Sequence, residues 1–143
     1  MEYRILGKTG EKVSLLSYGT GGPSQFGQKT GGTDKSRKRL IDIAINHGIN
    51  LFDTAPAYSN SEELLGNALK GINRDSYLLA TKVSTRIEDL KSRGDSIDQL
   101  MNPSFPRKSL ERSLKKLNLE YVDIFQFHGL LQKNYESITD CFL

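Results

Sequence analysis

The short apolar run at residues 49–52, which ends at Asp53, constrains the fold more than any other stretch of the chain. Bounded by Gly48 and a carboxylate, it is typical of a strand buried on both faces, as strands of parallel sheets are. Tyr58 follows in a loop. Ser61 then precedes two glutamates and a helical pattern of leucines, which predicts a helix capped by the serine hydroxyl. The stretch therefore predicts a strand, a loop and a helix, with a carboxylate at a strand end, where such folds keep their active sites.

The other strands are predicted from similar short apolar runs. Residues 3–6 and 12–16 flank the turn sequence Gly-Lys-Thr-Gly and predict a β-hairpin at the start of the chain. Further strands are predicted at residues 17–20, 77–80 and 122–127.

Helical patterns alternate with these strands. One helix is predicted to be capped by Asp34 or Ser36 and to end near His47, which is expected to be a cation at the helix C-terminus. Another is predicted to be capped by Ser104, with Pro106 in its first turn, where proline is tolerated. Other helical segments are predicted at residues 87–91 and from Tyr135 or Glu136 onward. This alternation predicts an α/β fold with a parallel sheet and right-handed crossovers, in a single domain.

The composition of the chain limits the partners and the cellular compartment that we expect for it. Charged residues make up 26% of the 143 residues, the net charge is +3 and the two signs are interspersed, so we expect no nucleic-acid partner. The single cysteine, Cys141, allows no intrachain disulfide and favours a reducing compartment. The N-terminus lacks the layout of a signal peptide and no apolar run is long enough to cross a bilayer. We therefore expect a cytoplasmic protein with no membrane partner.

Ionisable side chains follow three of the predicted strands. Asp53 and Tyr58 follow one strand, Lys82 ends the next, and His128 ends the last. Because the carboxyl ends of parallel strands lie on one face, we expect these four side chains to converge.

The four residue types are chemically coherent as a proton-transfer site. A free tyrosine has a pKa of about 10, and a nearby ammonium lowers the pKa of a phenol. A carboxylate can hold that ammonium in place, and a histidine can donate a hydrogen bond to a substrate oxygen. Tyr58 is then a general acid for a developing alkoxide. The hydride for such a reduction must come from a cofactor such as a nicotinamide.

The chain resembles the aldo-keto reductases in several spaced motifs. Residues 53–66 contain Asp-Thr-Ala-x-x-Tyr-x-x-Ser-Glu-x-x-Leu-Gly, which looks like the first signature of that family. Residues 80–82, Ala-Thr-Lys, resemble its lysine strand, and residues 110–128 resemble its second signature, which ends in Phe-His. Residues 3–14 resemble the hairpin that closes the bottom of its barrel. The resemblance runs over nearly the whole chain.

The resemblance implies a parallel (β/α)8 barrel of the TIM type, of which residues 1–143 supply the N-terminal part, about four βα units after the hairpin. It implies reduction of a small aldehyde or ketone by hydride transfer from NADPH, sometimes NADH, with no metal. By resemblance Tyr58 is the proton donor, Lys82 and Asp53 tune it, and His128 orients the carbonyl. Thr20 and Gly21 would line the nicotinamide end of the cofactor, and Asp53 would also touch it.

Two alternatives follow from the same resemblance. Some members, such as the potassium-channel β subunits, bind the cofactor and act chiefly through a partner, so a regulatory protein on this scaffold is one alternative. Because such barrels typically need about 250 residues, the other alternative is a fragment of a longer enzyme. We expect the 143-residue chain alone to be poorly stable and inactive.

Other nucleotide and metal motifs are rejected. Residues 19–24 lack the third glycine of the dinucleotide fingerprint and are followed by a loop, not by a helix. Residues 27–33 lack the Gly-Lys-Ser/Thr ending of a P-loop. With two histidines and one cysteine, a zinc cluster is not expected.

Overall fold

The computed structural model describes residues 1–85, 87–92, 94, 102 and 104–130 of the chain. Its strands are β1 (Tyr3–Ile5), β2 (Lys12–Ser14), β3 (Tyr18–Gly19), β4 (Leu51–Asp53), β5 (Leu78–Ser84) and β6 (Ile124–His128). Its helices are α1 (Asp34–Asn46), α2 (Ser61–Leu69), α3 (Ile87–Ser92) and α4 (Ser104–Leu117), with a short 3-10 helix at Arg74–Ser76.

The strands form a hairpin and one parallel sheet. β1 pairs antiparallel with β2. The sheet has the order β3-β4-β5-β6, and each neighbouring pair is parallel. In this register Asp53 lies opposite Gly19 on one side and Ala80 on the other, and Ser84 lies opposite His128. The predicted hairpin and parallel α/β order are therefore confirmed, and the strands end on a common edge.

One hydrophobic core joins the helices to the sheet. Ile41 of α1, Phe52 of β4, Leu65 of α2, Leu79 of β5 and Leu117 of α4 are all 0% exposed and belong to a single cluster. Complete burial of such side chains contributes about 1.5–3 kcal/mol each. This core fixes the strand ends against the helices that follow them.

The predicted cap of α1 is wrong. Neither Asp34 nor Ser36 is the cap, because both lie within the helix, and Thr33 is the N-cap residue. The Thr33 hydroxyl accepts the Ser36 backbone N–H at 3.2 Å, and the Ser36 hydroxyl accepts the Thr33 N–H at 2.9 Å. Such a reciprocal capping box satisfies two otherwise unpaired donors, which favours Thr33. The predicted C-terminus is confirmed, since His47 is the C-cap residue.

Two serines predicted to cap helices lie inside them instead. Ser61 is the first residue of α2 and is 0% exposed; the N-cap position belongs to Asn60, which makes no side-chain cap. Ser104 is likewise the first residue of α4, and its N–H donates to Asn102 Oδ1 at 2.9 Å. The Ser61 hydroxyl is directed into the protein because it is engaged by the loop before α1. Pro106 lies in the first turn of α4, as predicted.

The remaining sequence predictions concern helices and the membrane. The short helix predicted at residues 87–91 is confirmed as α3. The helix predicted from Tyr135 or Glu136, together with Cys141, lies outside the described residues. Over the part of the chain that is described, no helix combines the length and apolar character needed to span a bilayer.

The Arg74 side chain contacts the residues that begin or precede β5 and β6. Its guanidinium donates to Asp123 Oδ2 at 2.6 Å and to the Tyr77 carbonyl at 2.8 Å, and it stacks 3.9 Å from the centroid of the Tyr121 ring. Asp123 Oδ2 also accepts the Leu79 N–H at 2.7 Å. Burial raises the pKa of Tyr77, and the nearby guanidinium opposes that rise. This contact lies at the start of the strands, away from their carboxyl ends.

Helices α2 and α4 approach each other closely at Gly66. A Cβ atom placed on Gly66 would lie 2.2 Å from the Leu117 carbonyl oxygen. No side chain fits at that distance, so the close contact between the two helices requires glycine at this position.

Replacing Gly66 with alanine is expected to destabilise the fold, although alanine is the better helix former by about 1 kcal/mol. The added methyl forces α2 and α4 apart, and overpacking of this kind costs about 1–3 kcal/mol. Urea unfolding of Gly66→Ala measures the change, and Asn67→Ala, at an exposed position of the same helix, is the matched control. A Gly66→Ala protein at least as stable as Asn67→Ala would contradict the close approach.

Candidate active site

Asp53 is the last residue of β4, and its carboxylate binds the Lys82 ammonium through both oxygens. The Lys82 Nζ atom lies 2.6 Å from Asp53 Oδ1 and 2.7 Å from Oδ2. The same nitrogen donates to the Thr54 carbonyl at 2.8 Å. The Lys82 side chain is 12% exposed and the Asp53 side chain 33% exposed. A largely buried ammonium is tolerated because these three oxygens use its three donors.

Strand alternation directs Lys82 toward Asp53. Asp53 lies opposite Ala80, and Lys82, two residues further along β5, is on the same face as Ala80. Thr81, between them, points to the other face, where its hydroxyl donates to Glu62 Oε1 at 2.7 Å. β5 therefore presents its lysine to the candidate site and its threonine to α2.

Tyr58 lies in the loop after β4, with its ring beside the lysine. The Lys82 Nζ atom is 5.3 Å from the centroid of the Tyr58 ring, which is within cation–π range. The ring packs edge-on against the His128 imidazole, with centroids 5.5 Å apart and an interplanar angle of 81°. The four predicted side chains are therefore brought together, from β4, its loop, β5 and β6.

Gly21 forms the surface against which the Tyr58 ring lies. A Cβ atom on Gly21 would be 2.9 Å from Tyr58 Cζ and 3.0 Å from Cε2. A side chain at this position would displace the ring. The absence of a Cβ atom here therefore allows the tyrosine to occupy its present position.

His128 is fixed at the end of β6 by the segment after β5. Its backbone carbonyl accepts the Thr85 N–H and the Thr85 hydroxyl, each at 3.0 Å. Ser84 lies opposite it in the sheet. These contacts hold the backbone of the residue whose ring meets Tyr58.

Thr20, which the resemblance assigns to the nicotinamide end of a cofactor, is 0% exposed in this structure. Its hydroxyl lies 2.9 Å from Thr54 Oγ1, and its N–H donates to the Asp53 carbonyl at 2.9 Å. Thr20 therefore supports the wall of the site from within, while Gly21 and Asp53 are partly exposed.

Two residues near the site are not predicted from the sequence. Glu62, predicted only as an acidic residue of the first helical turn, is 1% exposed and binds Thr81. Gln28 lies in a loop with no periodic pattern, yet its amide contacts the loop that carries Tyr58. The Ser-Glu pair in the first motif was a signal for Glu62. The sequence contains no comparable signal for Gln28.

The described residues also form a cavity that lies apart from these four side chains. A cavity of about 560 Å³ lies along α4 and is lined by Asn102, Lys108 and Arg112 among others, but by none of the four converging side chains. Among the described residues, no group of three or more His, Cys, Asp or Glu side chains is arranged to hold a metal ion. The arrangement of Asp53, Tyr58, Lys82 and His128 is thus defined by their chemistry and mutual contacts.

Known proteins match the chain over most of its length. The model of the aldo/keto reductase family matches residues 16–141. The aldo-keto reductase YhdN of Bacillus subtilis is 36% identical over 132 residues, covering 90% of this chain and 38% of that protein. The L-galactose dehydrogenase of Arabidopsis thaliana is 34% identical over 135 residues, covering 91% of this chain and 39% of that protein.

A solved structure agrees with these sequence matches. A Pseudomonas aeruginosa protein, described as an aldo-keto reductase, superposes with a TM-score of 0.73 at 34% identity, covering 96% of this chain and 49% of that one. The chain spans less than half the length of these relatives. The barrel-type α/β fold implied by the sequence motifs is confirmed. The chain belongs to the aldo/keto reductase family.

Proposed function

We propose that this protein reduces an aldehyde or ketone to an alcohol by hydride transfer from NAD(P)H, with Tyr58 as the proton donor. The observation that carries the proposal is the Lys82 ammonium, which is bound to Asp53 at 2.6 Å and lies 5.3 Å from the centroid of the Tyr58 ring. Family membership supports an oxidoreductase of this general kind.

The proposed role of the ion pair is to make Tyr58 an effective acid. An ammonium close to a phenol favours the phenolate, which is the form that remains after the proton has moved to the alkoxide. Asp53 holds the ammonium in place, because removal of the carboxylate would leave a largely buried cation without its counter-charge. Lys82 and Asp53 thus act on the proton through Tyr58.

The proposed role of His128 is to orient the carbonyl of the substrate. Its ring lies edge-on to Tyr58 at 5.5 Å, so a carbonyl oxygen near the phenol is also near the imidazole. An imidazole N–H can donate a hydrogen bond to that oxygen and hold it in line with the tyrosine. A small carbonyl compound is accordingly the proposed substrate class.

A reduced nicotinamide, from NADPH or NADH, supplies the hydride when it is bound. We propose NADPH as the cofactor, on the resemblance of the motifs. The residues at the ends of β3 and β4 leave surface for such a group, because Gly21 is partly exposed and the Asp53 carboxylate is 33% exposed. Thr20 supports this surface from beneath, through its contact with Thr54.

We further propose that residues 1–143 form the N-terminal part of one barrel domain, in a cytoplasmic enzyme, and that by themselves they do not carry out the reaction. The support is the coverage of the relatives, which is 38% of one and 39% of another. The proposed activity is that of the protein as its source cell produces it, and it is tested in that form.

Replacing Tyr58 with phenylalanine is expected to lower the turnover of a simple aldehyde by about 100-fold or more, because a general acid contributes about 10²–10⁴-fold. Binding of NADPH should change little, since only the hydroxyl is removed. Turnover is followed by the absorbance of the reduced nicotinamide and binding by calorimetry. The control is Tyr121→Phe, at an exposed tyrosine near the start of β6. If the wild-type protein bound the cofactor without reducing any aldehyde, that result would contradict the proposed enzymatic activity and favour a regulatory protein.

Replacing Gly21 with alanine is expected to lower kcat by about 10- to 100-fold, since misplacement of a catalytic group by about 1 Å can have that effect. The new Cβ would lie 2.9 Å from Tyr58 Cζ, so the ring must move. Gly19→Ala is the matched control, because a Cβ there meets nothing within 4 Å. Equal kcat values for the two variants would show that the position of the Tyr58 ring is not critical.

A further inference from the structure

The Gln28 side chain joins the loop after β3 to the loop that carries Tyr58. Its Nε2 atom lies 3.1 Å from the Tyr58 carbonyl, 3.0 Å from Ser61 Oγ and 2.7 Å from the Gln25 carbonyl. Its Oε1 atom accepts the Asn60 N–H at 3.0 Å. The nitrogen faces three oxygens and the oxygen faces an N–H, so the surrounding groups determine the orientation of the amide.

The loop that carries Gln28 is itself firmly held. Gln25 and Phe26 have φ values of 46° and 57°, in the left-handed region that residues other than glycine rarely adopt. Phe26 is 4% exposed and packs edge-on against Tyr18, with ring centroids 5.9 Å apart. The buried Arg37 donates from Nε to the Phe26 carbonyl at 2.8 Å. An unfavourable backbone that is fixed by so many contacts is characteristic of functional loops.

The segment to which Gln28 hydrogen-bonds, residues 58–61, bends sharply. Ser59, directly after Tyr58, has a φ of 54°. The Tyr58 carbonyl accepts the Ser61 N–H at 3.1 Å as well as the Gln28 amide. The Ser61 hydroxyl lies 3.2 Å from the Thr20 carbonyl, which connects the same point to the end of β3. The backbone on the C-terminal side of Tyr58 is therefore restrained from two directions.

We propose that Gln28 is a positioning residue for the proton donor: its amide holds the backbone of residues 58–61 so that the Tyr58 ring stays against Gly21 and beside Lys82. This inference rests on the proposed function of Tyr58. The contacts of the Gln28 amide do not include the Tyr58 hydroxyl. Its effect is transmitted through the Tyr58 carbonyl and the Asn60 N–H.

The test compares three variants of the protein as its cell produces it. Gln28→Ala removes the whole amide. Gln28→Glu keeps the shape of the side chain but replaces the Nε2 donor with a carboxylate oxygen. That oxygen would face the carbonyl oxygens of Gln25 and Tyr58, so an attraction becomes a repulsion. Lys29→Ala, at the exposed neighbouring residue, is the matched control.

The first readout is hydrogen exchange, which does not depend on activity. The Asn60 and Ser61 amides should exchange about 10-fold faster or more in both Gln28 variants and be unchanged in Lys29→Ala, because local opening becomes easier. The Leu79 amide, which belongs to a core residue that is 0% exposed and donates to Asp123 Oδ2 at 2.7 Å, reports on the global fold and should stay unchanged.

The second readout is steady-state kinetics with NADPH and a simple aldehyde. Both Gln28 variants should lose about 10- to 100-fold in kcat with little change in KM for the cofactor. Gln28→Glu should recover relative to Gln28→Ala as the pH falls toward about 5, because a protonated carboxyl, with an ordinary pKa of about 4.3, regains one donor. A general loss of stability would also speed exchange of the core amide, so a lower kcat with that amide unchanged marks a positioning role.

The outcomes separate this inference from the proposed function. Faster exchange at residues 60 and 61 together with lower kcat supports the inference. Unchanged exchange, or faster exchange with full kcat, overturns it. Wild-type protein that reduces no carbonyl compound overturns the proposed function, and with it the kinetic role of Gln28, while the exchange data still decide whether Gln28 restrains the loop.

Discussion

The ion pair between Lys82 and Asp53 is the interaction on which the rest of the candidate site depends. The Lys82 side chain is only 12% exposed, and its ammonium is surrounded by the Asp53 carboxylate and the Thr54 carbonyl. The cost of removing such a charge from water is offset only when every donor is paired. The Tyr58 ring lies 5.3 Å from this fixed charge, and the proposed acid chemistry follows from that proximity.

The parallel sheet brings this pair together with simple geometry. Neighbouring strands of a parallel sheet run in the same direction, so their carboxyl ends lie at the same edge. Residues that are far apart in the sequence therefore meet there. The register places Asp53 beside Ala80, and alternation along β5 directs Lys82 toward the site and Thr81 toward Glu62 on α2. The helices hold the strands at this register through a common core, and Gly66 allows two of them to approach closely.

The sequence predicts those parts of the fold that depend on local pattern. Buried apolar runs identified the strands, and the parallel order then brought Asp53, Lys82 and His128 to one edge. The cap of α2 was misassigned because Ser61 is engaged by Gln28, which is distant in sequence. The burial of Thr20 and the hydrogen bonds of Gln28 to residues 58–61 depend on contacts between loops, and the sequences of these loops have no periodicity. Such contacts follow from the folded structure and leave no local pattern.

The most direct test of the account is a double-mutant cycle on Tyr58 and Lys82 in the protein as its cell produces it. If the ammonium acts on the proton through the tyrosine, Lys82→Met and Tyr58→Phe should each lower kcat/KM by about 100-fold or more, and the double variant should be little worse than Tyr58→Phe alone. Losses that multiply in the double variant would mean that Lys82 and Tyr58 act independently, and would contradict the proposed role of the ion pair.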